Sequence, residues 1–336
     1  MRLRSLGTAG LLLLTLTLAG CGDSGSSSGT QTSDTPSSSG ATTAAATSCD
    51  AVPGEQLVAL EDDKGLQASD NIIPAVNAKA ATEPLLAALN KVSAALTQDK
   101  LVGLNKQTDI DRKTPPNVAK EFVTSEGLAD GLSGGSGKVV VGAANFSESQ
   151  TLANIYAEVA KAAGFQSSVK TVGNRELYEP ALEKGTIHVF PEYAGTLTEF
   201  LNKKQNGPDA PAKATGDITE TVKALADLGT KAGLKFGEPA AATDQNTFAV
   251  TKGFADKYSV ASLTDLAAKC GSGLVLGGPP ECPDRPFCQP GLEKTYNLKF
   301  DSFSSLDAGG PLSKTALKTG KVNITLVFSS DAALAG

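Results

Sequence analysis

The sequence predicts an α/β fold with mostly parallel sheets, and three observations carry that expectation. Short β-branched runs at Val139–Gly142, Thr186–Phe190, Thr247–Val250, Gly273–Leu276 and Val322–Phe328 read as strands. Helical periodicity fills the chain between them. Leu152, Ile155, Tyr156 and Val159 stand at i, i+3, i+4 and i+7; Leu85, Leu89, Val92 and Leu96 keep helical spacing, and Ile218, Val222 and Leu225 begin another such face. The chain has 336 residues, 40% of them hydrophobic, which is ample for two lobes with buried cores. Strands alternating with helices are the pattern of a parallel sheet, whose ligands sit at the carboxyl ends of the strands.

Taken in order, the chain opens with an address. Residues 1–20 carry Arg2 and Arg4, then an apolar stretch, Leu11–Leu18, too short to span a ~30 Å hydrocarbon core. The string Leu18-Ala19-Gly20-Cys21 looks like a bacterial lipobox, which implies a signal peptide cut before Cys21 and acylation of its sulfur. Residues 22–48 hold no large apolar residue and no Lys or Arg, so 21–48 is expected to be a disordered Ser/Thr/Gly tether. The expected location is extracytoplasmic, lipid-anchored to the outer face of the cell membrane. With Cys21 acylated, Cys49, Cys270, Cys282 and Cys288 remain, an even number for an oxidising compartment.

Charge and composition exclude several functions. A net charge of −6 and a pI near 5.0 give no basic footprint for nucleic acid. A single histidine, His188, excludes His-rich zinc sites and argues against a His-based triad. Gly131-Leu132-Ser133-Gly134-Gly135 fits G-x-S-x-G on paper but follows no strand. There is no P-loop and no metal-ligand spacing. No enzyme activity, cofactor or metal is expected; a lipoprotein hydrolase is the weaker alternative.

From Lys138 the string KVVVGAANFSESQTLANIYAEVAKAAGF resembles the start of mature substrate-binding proteins of ABC importers for glycine betaine, choline and carnitine. The resemblance continues through GNRELYEPALEKGTIHVFPEYAGTLTEFL, LGGPPECPDRPFCQPGLEKTYNL and LDAGGPLSKTALKTGKVNITLVFSSDAAL, with PEYAGT its most specific string. In the usual order a tail like LVALEDDKGLQASDNIIPAVNAKA follows the last of these. Here it begins at Leu57, ahead of everything else. The expectation is a circular permutant, with the usual last segment moved to the front and joined by residues 133–137, Ser-Gly-Gly-Ser-Gly. Cys49 and Gly336 should then be neighbours.

The resemblance implies a type II periplasmic-binding-protein fold over 49–336: two α/β lobes joined by a two-segment hinge, circularly permuted. Lobe one is expected to comprise 49–132, 138–245 and 329–336, and lobe two 248–327. The crossovers lie near Gln245–Phe248 and Phe328–Ser330. The ligand is expected to be a quaternary ammonium osmoprotectant held between the lobes. The partners are ABC permease subunits powered by a separate ATPase, and the protein is expected to be a monomer. A ligand sensor on the same fold is the alternative partner reading.

A quaternary ammonium has no hydrogen to donate and keeps its charge at every pH, so aromatic faces should line its site. Tyr193, in PEYAGT, resembles the family's cage tyrosine, and the resemblance implies that Thr196 stands beside the ligand. Phe248 and Phe328 stand at crossover positions where the family often has Tyr, with Asn246 just ahead of the first. The loop Asn145-Phe146-Ser147 precedes a helix whose N–H groups favour a polar ligand end. Some relatives carry Lys where Ala144 stands. Arg285, within Cys282–Cys288, resembles an Arg that clamps a ligand carboxylate. Four cysteines allow three pairings; Cys282–Cys288 with Cys49–Cys270 is the preferred one.

Overall fold

The structure is a computed structural model that describes residues 47–334. The expected signal peptide, the lipidation site Cys21, nearly all of the tether and the chain end Gly336 lie outside the described residues.

The first elements are β1 (Thr47–Ser48), β2 (Leu57–Leu60) and β3 (Ile72–Asn77). Helices α1 (Glu83–Ala95), α2 (Gln98–Asp109) and α3 (Pro115–Ser125) follow. Prolines in the first turns of α1 and α3 sit where the missing N–H costs nothing, and the Thr97 hydroxyl caps α2. Next come β4 (Lys138–Ala143), α4 (Ser147–Ala162), β5 (Gln166–Thr171), α5 (Arg175–Glu183), β6 (Val189–Tyr193), α6 (Ala194–Asn206), α7 (Ile218–Ala232) and β7 (Leu234–Phe236). The last stretch holds β8 (Asn246–Thr251), α8 (Lys252–Tyr258), α9 (Leu263–Lys269), β9 (Cys270–Ser272), β10 (Val275–Gly278), α10 (Gln289–Tyr296), β11 (Ser302–Ser305), α11 (Pro311–Lys318) and β12 (Ile324–Phe328).

Two five-stranded sheets form the lobes. One has the order β5-β4-β6-β3-β7, the other β11-β10-β12-β8-β2. Both are mixed rather than mostly parallel. β4 runs parallel to β5 and β6, and β10 runs parallel to β11 and β12. β3 and β8 are antiparallel to both of their neighbours. These two strands enter their sheets from the hinge, not through a crossover helix, so the helix–strand alternation carried no information on their direction.

The first lobe is a sheet between two helical layers. Side chains of a strand alternate between faces. Ile72 and Val76 of β3 pack with α1–α4, and Ile73 and Ala75 pack with α5–α7. The predicted face Leu85, Leu89, Val92 and Leu96 is buried in the first layer, and Leu152, Ile155, Tyr156 and Val159 of α4 oppose it.

The leading segment is woven through both lobes, which corrects the expectation that 49–132 belongs to lobe one. β2 pairs antiparallel with β8, adding a strand to the second sheet. Cys49 is bonded to Cys270, and its carbonyl accepts from Asn323 Nδ2 at 2.8 Å. Thr47 and Ser48, expected in the tether, pair with β9. Only from β3 onward does the segment build lobe one. The chain therefore passes between the lobes near Gln67–Asp70 and near Gln245–Phe248; the expected crossover at Phe328–Ser330 reaches the hinge, where Ser330 meets Asn105 and Glu148, and turns back into lobe two. Gln245 Nε2 donates to Ala68 O across these two passages, at 2.8 Å.

The end of the described chain corrects the assignment of 329–336 to lobe one in the same way. Leu334 packs against the lobe-two cluster that holds Leu57, Leu317 and Val327, and Asp331 pairs with Lys314 at 2.5 Å. The residues 133–137 are docked: Gly135 N–H donates to Ala163 O, and a Cβ on Gly135 would come within 2.4 Å of the Phe165 ring. A larger residue has no room there.

Candidate ligand-binding cleft

A cavity of about 540 Å³ opens between the lobes. Lobe one contributes the loop after β4, the start of α5, the end of β6 and one stripe of α6. Lobe two contributes the Pro279–Cys288 loop, Ala308 and the end of β12. Of the residues expected to bind ligand, Asn145, Phe146, Tyr193, Thr196, Asn246, Arg285 and Phe328 line this cleft.

Three rings gather at its hinge end. Phe146 lies 5.6 Å from Phe328 and 6.4 Å from Tyr193, centroid to centroid. Tyr193 is the last residue of β6, where the sheet turns into α6. The strand expected over Thr186–Phe190 extends through Pro191, which has no N–H for a ladder. The strand runs through it because Pro191 faces Pro74 of β3. Asn77 N–H donates to His188 O and Ala194 N–H to Asn71 O, which makes Pro74–Pro191 a pair that exchanges no ladder bonds.

The Tyr193 hydroxyl is engaged behind the ring. It donates to Glu148 Oε1 at 2.7 Å, while Asn105 Nδ2 and Ser330 Oγ donate to Glu148 Oε2, both at 2.6 Å. Burial and the Glu148 charge hold the Tyr193 hydroxyl well above the ordinary phenol range. Glu148 thus fixes the ring instead of capping α4.

The lobe-one wall carries a buried ion pair. Arg175 Nη2 lies 2.8 Å from Glu192 Oε2 and donates to Thr196 Oγ1 at 2.9 Å. Asp70 accepts from the Thr196 N–H at 2.7 Å and so caps α6 from the passage at Gln67–Asp70. Burial pushes the Asp70 carboxyl up to about 7, with the Thr196 N–H and Arg175 opposing that rise and Glu192 adding to it. At the lobe-two wall the Cys282–Cys288 disulfide closes a short loop. Gln67 Nε2 and Asn246 Nδ2 both donate to its Phe287 O, at 3.1 and 3.0 Å. Arg285, on the same loop, reaches across the cleft to Glu176 at 3.0 Å and also meets Glu281 at 3.4 Å.

Two expected residues lie elsewhere. Phe248 is 1% exposed in the second lobe's core beside Leu60, Phe254 and Leu326. It follows Asn246 on the same strand face, but two residues further in, about 6.6 Å from the cleft edge, where core side chains cover it. Ser147 lines a separate cavity behind Phe146 and Phe328, because the helix turn at α4 points it away from the cleft. His188 is structural: its Nδ1 accepts from the Val140 N–H at 2.9 Å, and burial lowers its pKa.

Asp70 and Asp244 line the cleft and were not anticipated; Arg175, weighed in the sequence between capping and ligand contact, lines it as well. Asp70 acts on a helix 126 positions away, a distance over which sequence carries no capping signal. Phe200 was discoverable, since it stands four residues after Thr196 on one helix face.

Two mixed α/β lobes, two chain passages between them and a cleft at the hinge define a two-lobed solute-binding protein of the type II periplasmic-binding class. The sequence profile for the substrate-binding domain of ABC-type glycine betaine transport systems matches residues 42–125 and 137–336, and the chain belongs to that family. Its members bind a small molecule outside the cytoplasm and work with a permease. The chain is also similar to a crystal structure described as a glycine betaine/carnitine/choline ABC transporter, at 23% identity over 59% of this chain and 71% of that one, with a TM-score of 0.38. Among the described residues no helix is long and apolar enough to cross a membrane.

Proposed function

We propose that the chain captures a quaternary ammonium osmoprotectant between its lobes, performs no reaction on it, and delivers it as a lipid-anchored monomer to permease subunits. The observation that carries this reading is the cluster of Phe146, Tyr193 and Phe328 at the hinge end of the cleft. Rings offered from both lobes attract a cation without needing a hydrogen on it, at about 0.5–2 kcal/mol each. A ligand that touches both lobes stabilises the state in which the walls meet. Thr196, Asn145 and Asn246 surround the ring cluster with polar groups, and Arg285 stands on the opposite wall. The lipobox-like string at Cys21 supports the anchor.

The reading includes a rotated chain order. The family profile meets the chain in two pieces, 42–125 and 137–336, and the Gly/Ser residues 133–137 lie at the junction between them. Gly54 N–H donates to Lys318 O at 3.0 Å, and Leu334 packs against the cluster that holds Leu57, Leu317 and Val327. Both ends of the moved segment's original junction therefore meet α11 and β12.

The test is a thermal-shift screen with choline, glycine betaine, proline betaine and carnitine. Ligand at 100 times its Kd adds about 2.7 kcal/mol of stability. Tyr193→Ala should weaken calorimetric binding of the active compound at least tenfold. Unchanged affinity would sink the ring assignment, and no shift with any cation would sink the ligand class.

A further inference from the structure

The buried polar atoms of the cleft wall that lack a hydrogen-bond partner are acceptors. Arg175 is paired with Glu192, Arg285 with Glu176 and Glu281, and Lys204 with Glu179 and Glu183. Asp70 occupies the N-terminus of α6. Lys203 has no acidic partner among the described residues, but it stands seven residues beyond Thr196 along α6, about 10 Å from the ring end. Against these, Asp244 Oδ2 and Asn174 Oδ1 are buried without a hydrogen-bond partner, and both residues line the cleft.

Their surroundings connect them to the ligand. Asp244 is 4% exposed, and its other oxygen accepts from the Ser330 N–H at 3.1 Å. Ser330 in turn donates to Glu148, the group that holds the Tyr193 ring. Asn174 occupies the N-cap position of α5, yet its side chain makes no capping bond. A buried acceptor without a donor is costly, and a carboxylate beside another is costlier. A fixed cation that also brings an O–H relieves both oxygens; a ligand carboxylate at this end relieves neither.

We propose that Asp244 and Asn174 make this cleft select a quaternary ammonium alcohol, with a hydroxyl donor and no carboxylate, over zwitterionic betaines. Asp244 supplies the negative charge beside the ring cluster and Asn174 accepts the hydroxyl. The proposal rests on the quaternary ammonium reading above and names the ligand chemistry within it. Burial and the adjacent Glu148 hold the Asp244 carboxyl well above its ordinary range, a situation that a neighbouring cation relieves.

Calorimetry on the full chain tests it with three probes: choline, glycine betaine and tetramethylammonium, which has no hydroxyl. The unmodified chain should bind choline at least tenfold more tightly than glycine betaine. Asp244→Asn should lose at least tenfold for choline and much less for glycine betaine. Asn174→Ala should weaken choline severalfold and leave tetramethylammonium unchanged. Because Asp244 also holds the Ser330 N–H, the unmodified chain's ratio and the Asn174 variant decide the matter if Asp244→Asn fails to fold. A preference for glycine betaine, or equal losses for both compounds in the variants, overturns this inference alone. If none of the three probes binds the unmodified chain, the quaternary ammonium reading falls, and this inference with it.

Discussion

Tyr193 shows how one residue serves the cleft and the fold together. Its ring faces the cavity, while its hydroxyl satisfies a buried carboxylate that also receives Asn105 and Ser330. Tyr193→Phe keeps the ring and leaves Glu148 one donor short. It should cost about 1–3 kcal/mol in urea unfolding, with ligand affinity changed far less than in Tyr193→Ala. Equal damage to affinity in both variants would place the hydroxyl, not the ring, at the ligand. Asp70 makes a second prediction, on pH. Its carboxyl rises from 3.8 to about 7 on folding, so between those values the folded chain holds a proton that the unfolded chain has released. Stability therefore falls as pH rises through that window and is level above it. Asp70→Asn keeps an acceptor for Thr196 and removes the titration. The loss of melting temperature between about pH 5 and about pH 8 should shrink relative to the unmodified chain. An unchanged loss would assign the slope to other groups.

At the scale of elements, the two disulfides do different work. Cys282–Cys288 closes a short ring, six positions apart, that shapes the cleft wall. Cys49–Cys270 ties the start of the leading segment to the second lobe across 221 positions. Chain-entropy reasoning makes the long ring worth about 5 kcal/mol and the short one about 2. The Cys49→Ser/Cys270→Ser pair should therefore lower the unfolding midpoint more than Cys282→Ser/Cys288→Ser. The second pair should weaken ligand binding more, because the loop holding Phe287 O against Gln67 and Asn246 is loosened. The reverse ranking of affinities would separate that loop from the site.

At the scale of the whole molecule, the leading segment is part of both lobes. β2 closes the edge of one sheet, β3 is an inner strand of the other, and α1–α3 cover one face of the first lobe. Removing the segment would strip both cores, whereas changing where the chain is cut need not. A chain running from 138 to 336, then through a Gly/Ser joint into 49–132, should fold and bind the same ligand within about threefold, since the contacts are the same and only loop closure differs. Failure of that chain to fold would count against the rotated order.

The sequence by itself determined the element types, the helical faces and the family. Periodicity, β-branched runs and strings such as PEYAGT are local, and burial of one face follows from them directly. Most of the cleft was legible for the same reason, since Tyr193, Phe146, Arg285 and Phe328 lie in recognisable strings at strand ends. Only the tertiary structure decided the rest. It set the direction of β3 and β8, placed β2 in the second lobe, buried Phe248 and turned Ser147 away. It also brought Asp70 to α6 and left Asp244 Oδ2 without a donor. Each of these depends on which distant segment lies alongside. That is a matter of packing and desolvation between parts of the chain with no spacing rule linking them.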